Sequence, residues 1–234
     1  MIPLRDDQPR FSTPYVTYFL IAINLVIYFF EWQLGLQSHA ARNAFEFQFA
    51  LIPRYSVGLL TGTPMFNPIA ALLPVFTSMF MHAAWQHVLG NMWMLWIFGD
   101  NIEDYLGHFA YLVFYLLCGF GAGLTHILLN ADSVVPTVGA SGAIAGVMGA
   151  YFILYPRARV MIWFPPIFIF PVPAWLMLGY WGVSQFLGGA ASSLALNRQA
   201  GGIAFWAHVG GFTAGILLIK LFPQRRGRYR YGTW

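Results

Sequence analysis

Charge is what this chain has least of. Only 9% of its 234 residues are Asp, Glu, Lys or Arg, against 59% hydrophobic, and such a composition cannot cover the surface of a soluble globular protein. A membrane protein is what remains. Cysteine is nearly absent as well: Cys118 stands alone in an apolar run, which excludes an internal disulfide and a cysteine-based metal cluster. There is no His-Glu-x-x-His motif, and His82 and His87 are not at a same-face helical spacing, so no metal site is expected. Residues 1–14 are polar and basic, without an apolar core flanked by a small-residue cleavage site; a cleaved signal peptide is not expected.

What is present is a series of apolar segments long enough to span a bilayer. The expected fold is all-α, a polytopic bundle of six transmembrane helices. The first span is read over Tyr15 to Phe30, with Asn24 facing the bundle and Glu31 and Trp32 marking its end. Residues 33–75 hold Pro53, Pro64, Pro68 and Pro74 among short aromatic pieces and read as a long interfacial loop. A second span from Ala84 to Phe98 ends at Gly99-Asp100, an acidic turn reaches Asp104, and a third span runs to about Leu129. The fourth covers Ser141 to Tyr155. Arg159 to Phe170, interrupted by Pro165 and Pro166, reads as a short dipping loop; the fifth span is Val172 to Leu187 and the sixth Ala204 to Phe222. Residues 15–222 thus form one membrane domain between a short N-terminal segment and a basic tail, 223–234.

Six spans place both termini on one side, and basic residues choose which. Arg5, Arg10, Arg157, Arg159, Lys220, Arg225, Arg226, Arg228 and Arg230 lie with the termini; Arg42, Arg54 and Arg198 lie opposite. The expectation is a bacterial inner membrane with cytoplasmic termini. The basic tail suits anionic lipid, and nucleic acid is not an expected partner.

Polar residues inside spans are costly and need a reason. At 1.5 Å per helical residue, Ser141 stands roughly 21 Å above Tyr155, His208 roughly 18 Å above Lys220, and His87 roughly 20 Å above Asp100, with Asn91 one turn lower. They can share one layer. The fourth span covers only about 22 Å of a core about 30 Å thick, so Ser141 starts below the surface, where irregular backbone must be buried in protein or line water. Gly142, Gly146 and Gly149 face a small-residue stripe, Gly211 and Gly215, on the His208 face of the sixth span; such stripes let backbones approach closely. Ser141 taken alone reads as a helix cap. Beside His208 it reads as a nucleophile with its base, a dyad, because no carboxylate is read in the helices around this layer. His87 and Asn91, at i and i+4, and the backbone amides opening the fourth span are candidate donors to an oxyanion.

The chain resembles the rhomboid intramembrane serine proteases. The likeness is carried by Phe80-Met81-His82, Trp85-Gln86-His87-Val88-Leu89-Gly90-Asn91, Gly139-Ala140-Ser141-Gly142 and Ala207-His208-Val209-Gly210-Gly211 with Gly215, and is extended by Ala50-Leu51-Ile52-Pro53 and Phe98-Gly99-Asp100-Asn101. It implies Ser141 as nucleophile and His208 as general base and acid. It further implies His87, Asn91 and the Ala140 and Ser141 amides as oxyanion contributors, His82 as a structural support of the first loop, and cleavage of other membrane proteins in or near their transmembrane segments without a cofactor. Two departures stand out. Some members carry a tyrosine one turn after the nucleophile, where Ala145 stands here, so either another group, an aromatic such as Trp206 or Phe205, orients His208 or the dyad is looser; and the first loop has Arg54-Tyr55 in place of a Trp-Arg pair. By the same likeness, substrates enter between the second and fifth spans, where Trp175, Trp181 and Phe186 are gate candidates.

The rival is a proteolytically silent relative that binds membrane-protein clients. It need not keep both serine and histidine, and this chain keeps both. A proton path would ordinarily bring buried acids, and none is read in the spans. Oligomeric state is not legible.

Overall fold

The computed structural model describes residues 2–60, 68–194 and 204–225. Arg198, Pro64 and the basic tail beyond Arg225 lie outside them. Strand β1 (Ile2–Arg5) is followed by α1 (Tyr15–Gln37), then by three short helices, α2 (His39–Phe49), α3 (Pro53–Leu60) and α4 (Pro68–Thr77). After a 3-10 turn come α5 (Trp85–Leu106), α6 (His108–Leu129) and α7 (Ser141–Leu154); strands β2 (Arg159–Phe164) and β3 (Phe168–Pro173) lead to α8 (Ala174–Leu194) and α9 (Phe205–Leu218). Among the described residues, α1 and α6 are long and apolar enough to cross a membrane, and α7 and α9 are shorter apolar helices.

The chain is mostly helical, but not all-α. The stretch read as a dipping loop is a hairpin, and β1 adds to it to make an antiparallel sheet in the order β1-β2-β3. Its basis is an alternation: Val160 and Ile162 are buried while Arg159 is exposed and Met161 and Trp163 are half-buried, the period of a half-buried strand. Pro171 and Pro173 sit on β3, an edge strand, where a missing N–H is tolerated.

The acids give a second correction. The helix read as ending at Gly99-Asp100 continues to Leu106, because its acidic residues cap another helix. Pro14, at the start of α1, offers no capping side chain, so the unpaired first amides of α1 need acceptors from elsewhere. Glu103 accepts from Val16 N (2.9 Å), Thr17 N (2.8 Å) and Thr17 Oγ1 (2.7 Å), and Asp104 from Phe11 N and Ser12 N. Their negative charge also suits the positive end of the α1 dipole. Glu31 does not end the first span either: α1 runs on to Gln37, and Glu31 is fully buried, accepting from His82 N at 3.0 Å. Buried acids are therefore present, with backbone amides as their partners.

The described residues of the stretch read as an interfacial loop, 33–75, are largely helical and tied down. Arg42 donates to the Ala83 carbonyl (2.7 Å), Thr77 to the Phe49 carbonyl (2.7 Å), and Leu51 pairs as an isolated bridge with Thr137. These contacts anchor the loop without a Trp-Arg pair.

The N-terminal strand is held by carboxylates. Tyr151 donates its hydroxyl to Asp6, Asp7 accepts from Arg159 N (2.8 Å), and Trp93 donates to the Pro3 carbonyl (2.6 Å). Burial, with the neighbouring charge of Asp7 adding to it, raises the Asp6 carboxyl from 3.8 to about 6. A carboxyl whose folded value is raised favours the folded form while it is protonated, so this contribution is full below about pH 4 and is lost as pH rises through 6. Hydrogen exchange of the Ile2–Arg5 amides, corrected for intrinsic rate, should show weaker protection at pH 7.5 than at pH 5; equal protection at both would contradict the burial argument.

Candidate active site

Helix α7 opens at Ser141 because the chain before it is forced into position. Gly139 has φ +134°, a conformation that disfavours side chains, and a Cβ there would lie 2.8 Å from His87 Nε2. Glycine meets both demands. Gly139 N donates to the Ser78 carbonyl (2.9 Å), and Thr137 bonds both Leu51 and the buried His126, whose Nε2 lies 3.0 Å from Thr137 Oγ1. The turn is thus tied to α6 and to the first loop.

Ser141 is not a helix cap. Ala140 occupies the cap position without a side-chain bond, and the Ser141 hydroxyl lies 2.7 Å from His208 Nε2. The glycine stripes bring them together: a Cβ on Gly211 would overlap the Gly142 carbonyl, and one on Gly215 the Gly146 carbonyl. Helices α7 and α9 touch through bare backbone, and α6 packs on both.

Around Ser141 the donors are arranged on two sides. The first amide of α7 to bond within the helix is Ile144 N, to the Ala140 carbonyl (3.0 Å), so the preceding amides point out of the helix end. From α5, the Asn91 amide donates one proton to His82 Nε2 (3.0 Å) and has a second to give. His82, expected to support the first loop, is fully buried with its ring 5.0 Å from that of His87; it holds Asn91 as well. His87, Asn91, Ser141 and His208 all line one cavity of about 530 Å³ between α5 and α8, together with Met148, Met177 and Trp181.

The expected support for His208 is corrected. Trp206 bonds Ser193 (3.0 Å) and packs on Phe186, and the Phe205 ring lies against Gly188. Instead the Trp181 ring faces the imidazole at 5.8 Å, and Gln185 Oε1 lies 2.7 Å from His208 Nδ1. Gln185 carries one sequence signal, an amide within the bulky apolar run of α8, and no motif or helix-end spacing places it beside His208. Of the gate candidates, Trp181 lines the cavity, while Trp175 and Phe186 are exposed on the outer surface.

The Rhomboid domain family matches residues 70–225. The chain belongs to the rhomboid family. Among its relatives, Rhomboid protein 1, mitochondrial, of Saccharomyces cerevisiae is 29% identical over 153 residues, covering 64% of this chain and 41% of that protein. Presenilin-associated rhomboid-like protein, mitochondrial, of Mus musculus is 29% identical over 163 residues, covering 65% and 39%. Rhomboid-like protein 11, chloroplastic, of Arabidopsis thaliana is 28% identical over 172 residues, covering 68% and 56%. The rhomboid match therefore spans less than two thirds of each relative's length. These names correct the expected location: they belong to mitochondria and chloroplasts, and so point away from a bacterial inner membrane with cytoplasmic termini. The rhomboid domain, as matched, contains Ser141, His208, His87, Asn91 and Gln185, so the whole cavity wall apart from Pro3 lies within it.

Proposed function

We propose that this rhomboid protein is an intramembrane serine endopeptidase that hydrolyses peptide bonds in or near transmembrane segments of other membrane proteins, using Ser141 and His208. The observation that carries the reading is the 2.7 Å approach of Ser141 Oγ to His208 Nε2 at the wall of the cavity between α5 and α8. His208 takes the hydroxyl proton as the oxygen attacks the scissile carbonyl; the charge that develops is met by the amides opening α7, by Asn91 and by His87. The same imidazole then returns the proton to the departing amine, leaving an ester on Ser141 that water hydrolyses by the reverse sequence.

In this reading residues 15–222 form the membrane domain, with α1, α5, α6, α7, α8 and α9 as its six spans. The bilayer and transmembrane protein substrates are the partners, and the chemistry asks for no cofactor. The shortness of α7 and α9 serves the chemistry, since their ends lie below the surface where water reaches Ser141. A serine-reactive fluorophosphonate should label the reconstituted protein, and Ser141→Ala should abolish labelling. Undiminished labelling of that variant would sink the proposal.

A further inference from the structure

With Ala145 one turn after the nucleophile, that position of α7 offers no ring to hold His208. We propose that Gln185, on α8, is the positioning residue that fixes His208 in the tautomer protonated at Nδ1, and so leaves Nε2 free to act as the base. The inference rests on the proposal that His208 is that base, and it names the group that makes it one.

One chain of hydrogen bonds, with a fixed polarity, ends on His208. Ser184 donates its hydroxyl to the Trp181 carbonyl at 2.6 Å. That commits its only proton, so its oxygen can act toward Gln185 only as an acceptor. Gln185 Nε2 supplies the matching donor at 3.2 Å. The amide is thereby turned with Oε1 toward His208 Nδ1, at 2.7 Å. An amide oxygen carries no proton, so the proton in that bond is on Nδ1; a neutral imidazole has only one, and Nε2 is left as an acceptor for Ser141. Reversing the amide would place two acceptors together at Ser184 and put the imidazole proton on Nε2, where it could not take the Ser141 proton.

The same turn of α8 fixes the ring by contact. Trp181 lies four residues before Gln185, on the same helix face, and its ring meets the imidazole with an interplanar angle of 35°. When Nε2 takes the serine proton, the Nδ1–H remains on Oε1, so the imidazolium keeps its orientation through the step. Unlike a carboxylate, the glutamine adds no charge. It sets tautomer and direction without neutralising the cation.

Three proteins reconstituted in bilayers test this: wild type, Gln185→Leu, which removes the acceptor at similar size, and Gln185→Glu, which keeps it. The rate of fluorophosphonate labelling is read against pH, and the ring nitrogens of His208 are observed by 15N NMR, assigned by their loss in His208→Gln. Gln185→Leu should label about 100-fold more slowly, within the range ascribed to a positioned general base. Its His208 signals should shift from the Nδ1–H form to a mixture of tautomers. Gln185→Glu should recover most of the rate and move the acid limb of its pH profile. A Leu variant with wild-type rate and tautomer would overturn the role of Gln185 alone, as would loss of rate in both variants with the tautomer unchanged. If wild type is not labelled at all, the protease reading fails, while the tautomer is still decided by the nitrogen signals.

Discussion

His208→Ala is expected to lower the rate of substrate cleavage by about 10⁶-fold while changing substrate binding little, the scale on which loss of the serine or the base of such a pair is felt. The expectation follows from where His208 acts. Its Nε2 is within 2.7 Å of the Ser141 hydroxyl, a weak nucleophile without a base, whereas the cavity is walled largely by other residues, among them Met148, Met177 and Tyr180. The two residues act as a unit, so Ser141→Ala combined with His208→Ala should be no slower than Ser141→Ala alone. Cleavage kinetics on a single-span reporter protein in proteoliposomes, with rate and half-saturation measured separately, checks both points. A loss that appeared only in substrate affinity would place His208 in binding and not in chemistry.

Gly215→Val is expected to abolish folding or activity outright. A Cβ at Gly215 would overlap the carbonyl, carbonyl carbon and Cα of Gly146, all of them backbone, so no side chain can swing aside. Overpacking of a well-packed core usually costs about 1–3 kcal/mol, and here relief requires moving α9 away from α7, which also withdraws His208 from Ser141. Gly179→Ala is the matched control: its added Cβ meets only Phe152 Cε2 at 3.6 Å, an ordinary contact. Unfolding in graded denaturant together with labelling of Ser141 separates the two variants. A Gly215→Val protein that stays folded and reactive would mean that the helices need not touch through their backbones.

The glycines show why part of the site was legible. Gly142, Gly146 and Gly149 recur at helical spacing on the helix that Ser141 opens, as do Gly211 and Gly215 on the face of His208; local periodicity therefore encoded a long-range contact. The support of His208 had no such code. It depends on a hydrogen bond between residues 23 apart and on the amide orientation set by Ser184, which no spacing rule reveals. The sheet escaped for a related reason: β1 pairs with a strand more than 150 residues away, and an apolar run broken by Pro165-Pro166 looks in isolation like a short dipping loop. The length of α5 was hidden by its acids, which read as a polar turn until the unpaired amides of α1 supplied their partners. Location was misjudged because a count of basic residues ranks the two faces of a membrane without naming the membrane.

The most direct test of the central claim is cleavage of a single-span reporter by the purified protein in lipid, with Ser141→Ala beside it and the fold of both verified. The account predicts cleavage within or next to the reporter's transmembrane segment by wild type and none by the variant. Equal cleavage by the two proteins would contradict it.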